Sequence, residues 1–284
     1  MIEIGAFYRQ ILTGVSELSI TLDEALDKAR ESGIKWVDVN AAIFNECDPE
    51  ELRANLARHG IGIISVHCVL NYDYTTKDGV ASAIEGGKRN MLLAKAAGSK
   101  YFMIVPQRPK GFVENSYDEL VNGMRATITA LTLYGKEIGI QATIENFSRR
   151  TVPYSSFDAI EWLMANNPDL RFTLDTGNFT LSGFNELVGS RIFYDRTVYS
   201  HFKDMKIVDY ETDAERDGIY YERVVMGDGD IKNEKIINDF VKNGFDGVLT
   251  VEYSGENPFE VTLLSAKRIA DMIERSKALT PNFS

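Results

Sequence analysis

Three carboxylates and one histidine close otherwise apolar runs in the second half of this sequence. Glu145 ends Ile140-Gln-Ala-Thr-Ile-Glu145, Asp175 ends Phe172-Thr-Leu-Asp175, His201 ends Val198-Tyr-Ser-His201 and Glu252 ends Val248-Leu-Thr-Val-Glu252. Short apolar runs of this kind read as buried strands, so four ionisable groups fall where hydration is poor. Carboxylates packed together there lose solvation and repel one another, more than a single imidazole can offset. A divalent cation does offset it. Hard oxygen donors with one imidazole suit Mn2+ first, then Mg2+, Co2+ or Zn2+. The expectation is one divalent metal ion held by Glu145, Asp175, His201 and Glu252.

Other polar residues stand near the ends of the same kind of run. His67, in Ser65-Val-His67-Cys68, and Lys203, whose parity puts it on the same side of its strand as His201, are candidates to bind substrate hydroxyls or a developing negative charge. Gln107 and Asn178 either reach that pocket or serve as hydrogen-bonders within loops. Trp36 and Trp162 read as core residues. Cys47 and Cys68 lack CxxC spacing and read as plain thiols of a reducing compartment, which argues against a disulfide framework or a cysteine-based zinc site.

The elements that must position these residues repeat along the chain. Ile-, Val- and Phe-rich runs at 2–8, 35–41, 62–69, 100–106, 140–147, 171–176, 198–203 and 247–253 alternate with amphipathic stretches. Thr21-Leu-Asp-Glu24 reads as a capping box, Asp48-Pro49 as a helix start, and Gly33, Gly60, Gly98, Gly139 and Gly244 as helix stops. Strand-helix alternation implies parallel strands, closed in a barrel or open in a doubly wound sheet. No GxGxxG follows the first strand and no Walker A sequence occurs, which favours an α/β fold of the (β/α)8 TIM-barrel type, with residues 1–284 as a single domain. The active site of such a barrel lies at the C-terminal ends of its strands. The stretch at about 205–229, after the seventh strand, reads as a long inserted loop, either a lid, a subunit contact or surface decoration.

A formal charge of −11, from 42 acidic against 31 basic residues, disfavours nucleic acid as a partner. The adjacent Arg149 and Arg150 read as a solvated loop pair. No apolar run reaches the roughly 20 residues that span a bilayer, and Met1 is followed by a strand-like stretch with no basic-then-apolar signal pattern. A cytoplasmic protein acting on a small molecule, with no membrane partner, is expected.

In order along the chain, Thr143-Ile-Glu145-Asn146, Leu174-Asp175-Thr-Gly-Asn178, His201-Phe-Lys203-Asp204, Gly227-Asp-Gly229-Asp230 and Val251-Glu252-Tyr253 together resemble the xylose-isomerase-like barrels. That superfamily contains sugar isomerases and epimerases, inosose dehydratase and endonuclease IV. The resemblance implies that Glu145, Asp175, His201 and Glu252 ligate the metal, and that Glu145 and Glu252 are the catalytic acid/base pair facing the substrate from opposite sides. It implies isomerisation or epimerisation through an enediolate, the metal polarising a carbonyl beside the proton removed. Dehydration or β-elimination on a keto-inositol or oxidised sugar starts with the same step and is the alternative; a non-catalytic sugar-binding barrel is a further one. Family habit implies a homo-oligomer. Ketose 3-epimerases of the family carry a His where this chain has Asn178 and an Arg where it has Ile207, so the usual contacts to a free ketose are not all present. Endonuclease IV fits poorly, because the chain has 3 histidines and a strong negative charge.

Overall fold

The eight apolar runs form eight parallel strands that close on themselves. The structure is a computed structural model that describes residues 1–107, 116–148, 152 and 154–279; Arg149 and Arg150 lie outside the described residues. Its strands are β1 (Glu3–Phe7), β2 (Ile34–Asn40), β3 (Gly62–Asn71), β4 (Tyr101–Gln107), β5 (Gln141–Glu145), β6 (Arg171–Asp175), β7 (Thr197–Phe202), β8 (Met205–Val208), β9 (Ala214–Arg216), β10 (Ile219–Arg223) and β11 (Val248–Val251). The closed barrel runs β1-β11-β7-β6-β5-β4-β3-β2, with helices between successive barrel strands.

Most strand limits fall close to the expected ones, with two informative exceptions. His67 does not close its strand, because β3 continues to Asn71. Glu252 stands just past β11, yet its N–H still donates to the carbonyl of Phe202 at 3.0 Å, so its backbone remains tied to β7.

Alternation along the strands divides the apolar residues into two layers. Residues such as Ile144, Phe172, Leu174 and Leu249 join the large core between barrel and helices. Ile64, Met103, Val105, Tyr199 and Val248 form a smaller interior cluster, with Trp36 packed against it. Trp36 also donates its indole N–H to Glu3 at 2.7 Å. Trp162 departs from the expected core position: it is 41% exposed, with the Arg125 guanidinium 3.7 Å above its ring. An indole can cover its apolar face with a guanidinium as well as with a core, which is why its type alone misplaced it.

The helix signals act locally as expected. Thr21 and Glu24 form the reciprocal capping box of helix Leu22–Glu31, and the Asp48 side chain accepts from the N–H groups of Glu50 and Glu51. Gly33, Gly60, Gly98, Gly139 and Gly244 all take positive φ where a helix must stop.

The stretch after β7 is not a long loop. Residues 205–223 fold into a three-stranded antiparallel sheet of order β8-β10-β9. Asp217 (φ 53°) and Gly218 (φ 80°) make the two-residue turn between β9 and β10, the left-handed pair that a tight hairpin requires. Met205, Ala214 and Tyr221 form the buried face of this sheet and pack in one cluster with Ile231. The free side of β8 is closed by Asp230, whose N–H donates to Met205 O at 2.8 Å and whose carboxylate accepts from Ile207 N at 2.9 Å.

Two stability predictions follow from this packing. Phe172, fully buried at 4.9 Å from Phe193 and 6.5 Å from Phe179, should cost about 3–5 kcal/mol when cut to Ala; urea unfolding with a loss below about 1 kcal/mol would contradict that packing. His59 ends helix Pro49–Arg58 between Asp27 (2.7 Å) and Asp23 (3.1 Å). The hydrogen bond to Asp27 holds its pKa above the ordinary 6.5, assisted by Asp23 against a partial loss of hydration. A group raised on folding stabilises fully below its unfolded pKa and loses that effect as pH rises through the folded value. The melting-temperature gap between wild type and His59→Gln should therefore be widest below about pH 6.5 and narrow above it; a gap that widens with pH contradicts the assignment.

Candidate metal centre

Barrel closure places the four chemical strand ends side by side. β5, β6, β7 and β11 are consecutive in the barrel, and Asp175 is in direct register with His201. One donor atom from each of Glu145, Asp175, His201 and Glu252 lies within 4.8 Å of the others. The first three are buried and Glu252 is half-buried.

The His201 ring is held on both edges. Its Nδ1 faces the carboxylates, bonded to Glu145 Oε1, 3.6 Å from Glu252 Oε2 and 4.0 Å from Asp175 Oδ2. Its Nε2 lies 3.1 Å from Asp38 Oδ2. Asp38, on β2, was not among the sequence candidates. Its carboxylate also bonds His67 Nδ1, and the Tyr199 hydroxyl stands 3.2 Å from it and 2.8 Å from Ser65 Oγ. The Phe7 ring covers both histidines, with centroids 5.3 Å from His67 and 4.7 Å from His201. Burial opposes ionisation of Asp38, but His67 and His201 outweigh it and hold the carboxyl below its ordinary range. Burial likewise works against a charged His201, and Glu145 with Asp38 overcomes it, raising the imidazole well above its usual pKa.

Lys203 supplies the second positive charge. Its Nζ lies 2.7 Å from Asp175 Oδ2, 3.2 Å from Glu252 Oε1 and 3.1 Å from Asn178 Oδ1. Burial pushes Asp175 up to about 7, Lys203 opposing this and Glu145 and Glu252 adding to it. For Glu145, burial is outweighed by His201, so its carboxyl stays below the ordinary range. Asp175 Oδ2 meets Lys203 as an ion pair but accepts no directed hydrogen bond. An under-satisfied buried carboxylate oxygen beside two glutamates and an imidazole nitrogen fits a divalent cation in both donor type and donor number.

Neighbouring residues fix this arrangement. Asn146 exchanges two 2.8 Å hydrogen bonds with the backbone of Asp175, locking the ends of β5 and β6 together. Asn178 spans the site, its amide N–H 3.3 Å from Glu145 Oε2 while its carbonyl receives Lys203. Gly177 leaves room for the lysine stem, since a Cβ there would meet Lys203 Cβ at 2.8 Å. Asp204 turns away from the cluster and accepts from Gly227 N (2.7 Å), Gly229 N (3.2 Å) and Met205 N (3.0 Å), which folds the 227–230 loop against β7.

Beside the cluster lies a cavity of about 180 Å3, lined in part by Asn178, Lys203, Ser148, Arg223, Ser254 and, of the four clustered donors, Glu252. That is smaller than the roughly 300–1,000 Å3 of drug-sized pockets and admits one small metabolite. Of the substrate-binding candidates, Lys203 and Asn178 line it, whereas His67 is engaged by Asp38 and Gln107 ends β4 half-buried; neither lines the cavity. A larger cavity of about 480 Å3, beside helices Asn233–Lys242 and Pro258–Leu279, includes none of the four clustered donors.

The family model described as xylose isomerase-like TIM barrel matches residues 26–279. No curated protein matches the chain. Among solved structures, an L-ribulose 3-epimerase aligns with a TM-score of 0.75 at 14% identity, covering 98% of this chain and 97% of that one. The probable 3-DHS dehydratase AsbF of Bacillus anthracis, involved in petrobactin synthesis, aligns at 0.69 and 16% identity over 99% and 100% of the two chains. An IolI protein with a bound zinc atom aligns at 0.67 and 16% over 98% and 97%. At these identities the likeness is one of fold.

Partners beyond the ligands of a metal typically change its affinity by about 10–100-fold. If the cluster holds a divalent cation, Asp38→Asn should therefore weaken that binding by about the same factor in calorimetric titration, with the barrel still folded by circular dichroism. Unchanged affinity would remove Asp38 from any role in orienting His201.

Proposed function

The chain belongs to the xylose isomerase-like TIM barrel family, and on that premise we propose that it is a divalent-metal-dependent sugar isomerase or epimerase acting on a small polyhydroxy carbonyl compound. The observation that carries this reading is the convergence of Glu145, Asp175, His201 and Glu252 within 4.8 Å, beside a metabolite-sized cavity that Glu252 borders. These four residues would hold the metal, Mn2+ by first preference on donor type, with Mg2+, Co2+ and Zn2+ the alternatives. When bound, the metal supplies Lewis-acid polarisation of the substrate carbonyl and neutralises negative charge.

The remaining work falls to the chain's own side chains. Glu145 and Glu252 reach the centre from β5 and from the end of β11, so one carboxylate can take the proton beside the carbonyl and the other can return one. His201 holds Glu145 below the ordinary carboxylate range, which keeps it in the proton-accepting form while lowering its basicity. Lys203 is a fixed cation beside the carboxylates, and with Asn178 it can stabilise the negative charge that develops on substrate oxygen. The Phe7 ring walls off one side of His201. His67 bears on the site through Asp38, and Gln107 takes no part in this reading.

A dehydratase or lyase reading is supported by one feature of this chain. Asn178 and Ile207 replace the His and Arg of the ketose 3-epimerase pattern, and Ile207, 54% exposed on β8, does not line the cavity. Both readings share the proton abstraction. Product mass separates them: isomerisation conserves the substrate mass, whereas dehydration removes one water.

General acid/base groups contribute about 10²–10⁴-fold, so Glu145→Gln and Glu252→Gln should each lower kcat by at least that factor on a ketose and keto-inositol panel. Full activity in either variant eliminates that glutamate as a proton carrier.

A further inference from the structure

The cavity beside the cluster has two cationic side chains among its described lining residues, and they are in different situations. Lys203 is held among Asp175, Glu252 and Asn178, at the end of the cavity where the reacting carbon would lie. Arg223, at the end of β10, pairs among the described residues with Asp213, through Nη1–Oδ1 at 2.6 Å and Nη2–Oδ2 at 3.2 Å. A guanidinium has five N–H donors, so three remain. Asp213 is 78% exposed, and an ion pair of that kind aims a side chain without consuming much of its binding capacity. The backbone of Arg223 is fixed on the cavity side by its register with Met205 and by the next residue, Val224, whose N–H donates to Asp204 O at 3.0 Å. The inserted sheet therefore presents an under-used guanidinium to the same space that Glu252 borders from the metal side.

We propose that Arg223 is a specificity-determining residue that binds an anionic group, carboxylate or phosphate, on the end of the substrate remote from the reacting carbon. The inference rests on the proposed function in taking this cavity as the substrate site. Its physical logic is a gradient of chemistry along one small cavity. Glu252, which joins the cavity to the clustered donors, fits a cation and neutral hydroxyl groups, and it would repel an anion. The guanidinium at the inserted sheet fits an anion through paired N–H donors. A substrate with a carbonyl and hydroxyl at one end and a negative charge at the other satisfies both ends at once, and the charged end fixes which way round it enters.

The test uses the Mn2+-loaded full chain and three matched polyols: D-glucitol, D-gluconate and D-glucitol 6-phosphate, titrated calorimetrically into wild type, Arg223→Ala and Arg223→Lys. Hydrogen bonds to charged groups imply that at least one anion binds about 10–100-fold more tightly than glucitol. Arg223→Ala should abolish that preference while leaving glucitol affinity unchanged, which also verifies that the variant is folded. Arg223→Lys should retain part of it. Preference for gluconate alone identifies a carboxylate, and preference for the phosphate identifies a phosphate ester. Equal binding of all three polyols, no binding of either anion, or a preference that survives Arg223→Ala overturns the proposal. Turnover of D-fructose, D-fructose 6-phosphate and 5-keto-D-gluconate separates the two readings. Arg223-dependent anion binding without turnover of any of these or of a wider panel leaves this inference standing and removes the isomerase reading. Turnover of neutral ketoses without anion preference does the reverse.

Discussion

Charge balance in a dry place governs the upper half of this barrel. Glu145, Asp175, Glu252 and Asp38 meet around His201 and Lys203, most of them out of contact with water. Two like charges 4 Å apart repel by about 1 kcal/mol in water and about 4 kcal/mol at an effective dielectric of 20, so several such pairs together rival the net stability of a domain. The chain meets this by sharing: His201 lies between Asp38 and Glu145, and Lys203 between Asp175 and Glu252. The upward shift of Asp175 to about 7 is the residue of imbalance that sharing leaves, with burial its main cause. A divalent cation seated among the four donors, as proposed above, would supply the remaining positive charge.

Much of the surrounding architecture serves that balance. Asn146 and Asn178 hold β5, β6 and the helix Thr176–Ser182 in fixed relation, so neither Glu145 nor Asp175 can swing away from the positive charges. Asp38, Tyr199 and Ser65 pin the far edge of the His201 ring, leaving Nδ1 directed at the carboxylates. Asp204, one residue beyond Lys203, gathers the glycine N–H groups of the 227–230 loop. That loop in turn closes the free side of β8 through Asp230, which sets the inserted sheet beside the cavity.

The sequence was most legible where one residue type contradicted its surroundings. An acid or histidine that ends an apolar run marked each of the four clustered donors, and strand-helix alternation without a glycine-rich turn marked the closed barrel. Asp38 was harder to find, because a lone acid in Val37-Asp38-Val39 also fits the solvent face of an alternating strand. Only closure brings it to His201, 163 residues along the chain. His67 was placed at a strand end because β3 was read as shorter than it is, although its pairing with β4 runs on to Asn71 and Gln107. The inserted sheet was readable in part: Asp217-Gly218 between alternating residues is a strong hairpin signal, which the mixed charge of the stretch obscured.

The central claim is that these four side chains form one metal site, and metal content tests it most directly. Elemental analysis of the purified chain, dialysed against Mn2+ and then against metal-free buffer, should find one ion per chain in the wild type. A folded Asp175→Ala variant should retain none. A folded wild type that neither retains nor binds a divalent ion, or a variant that holds as much metal as the wild type, contradicts the account.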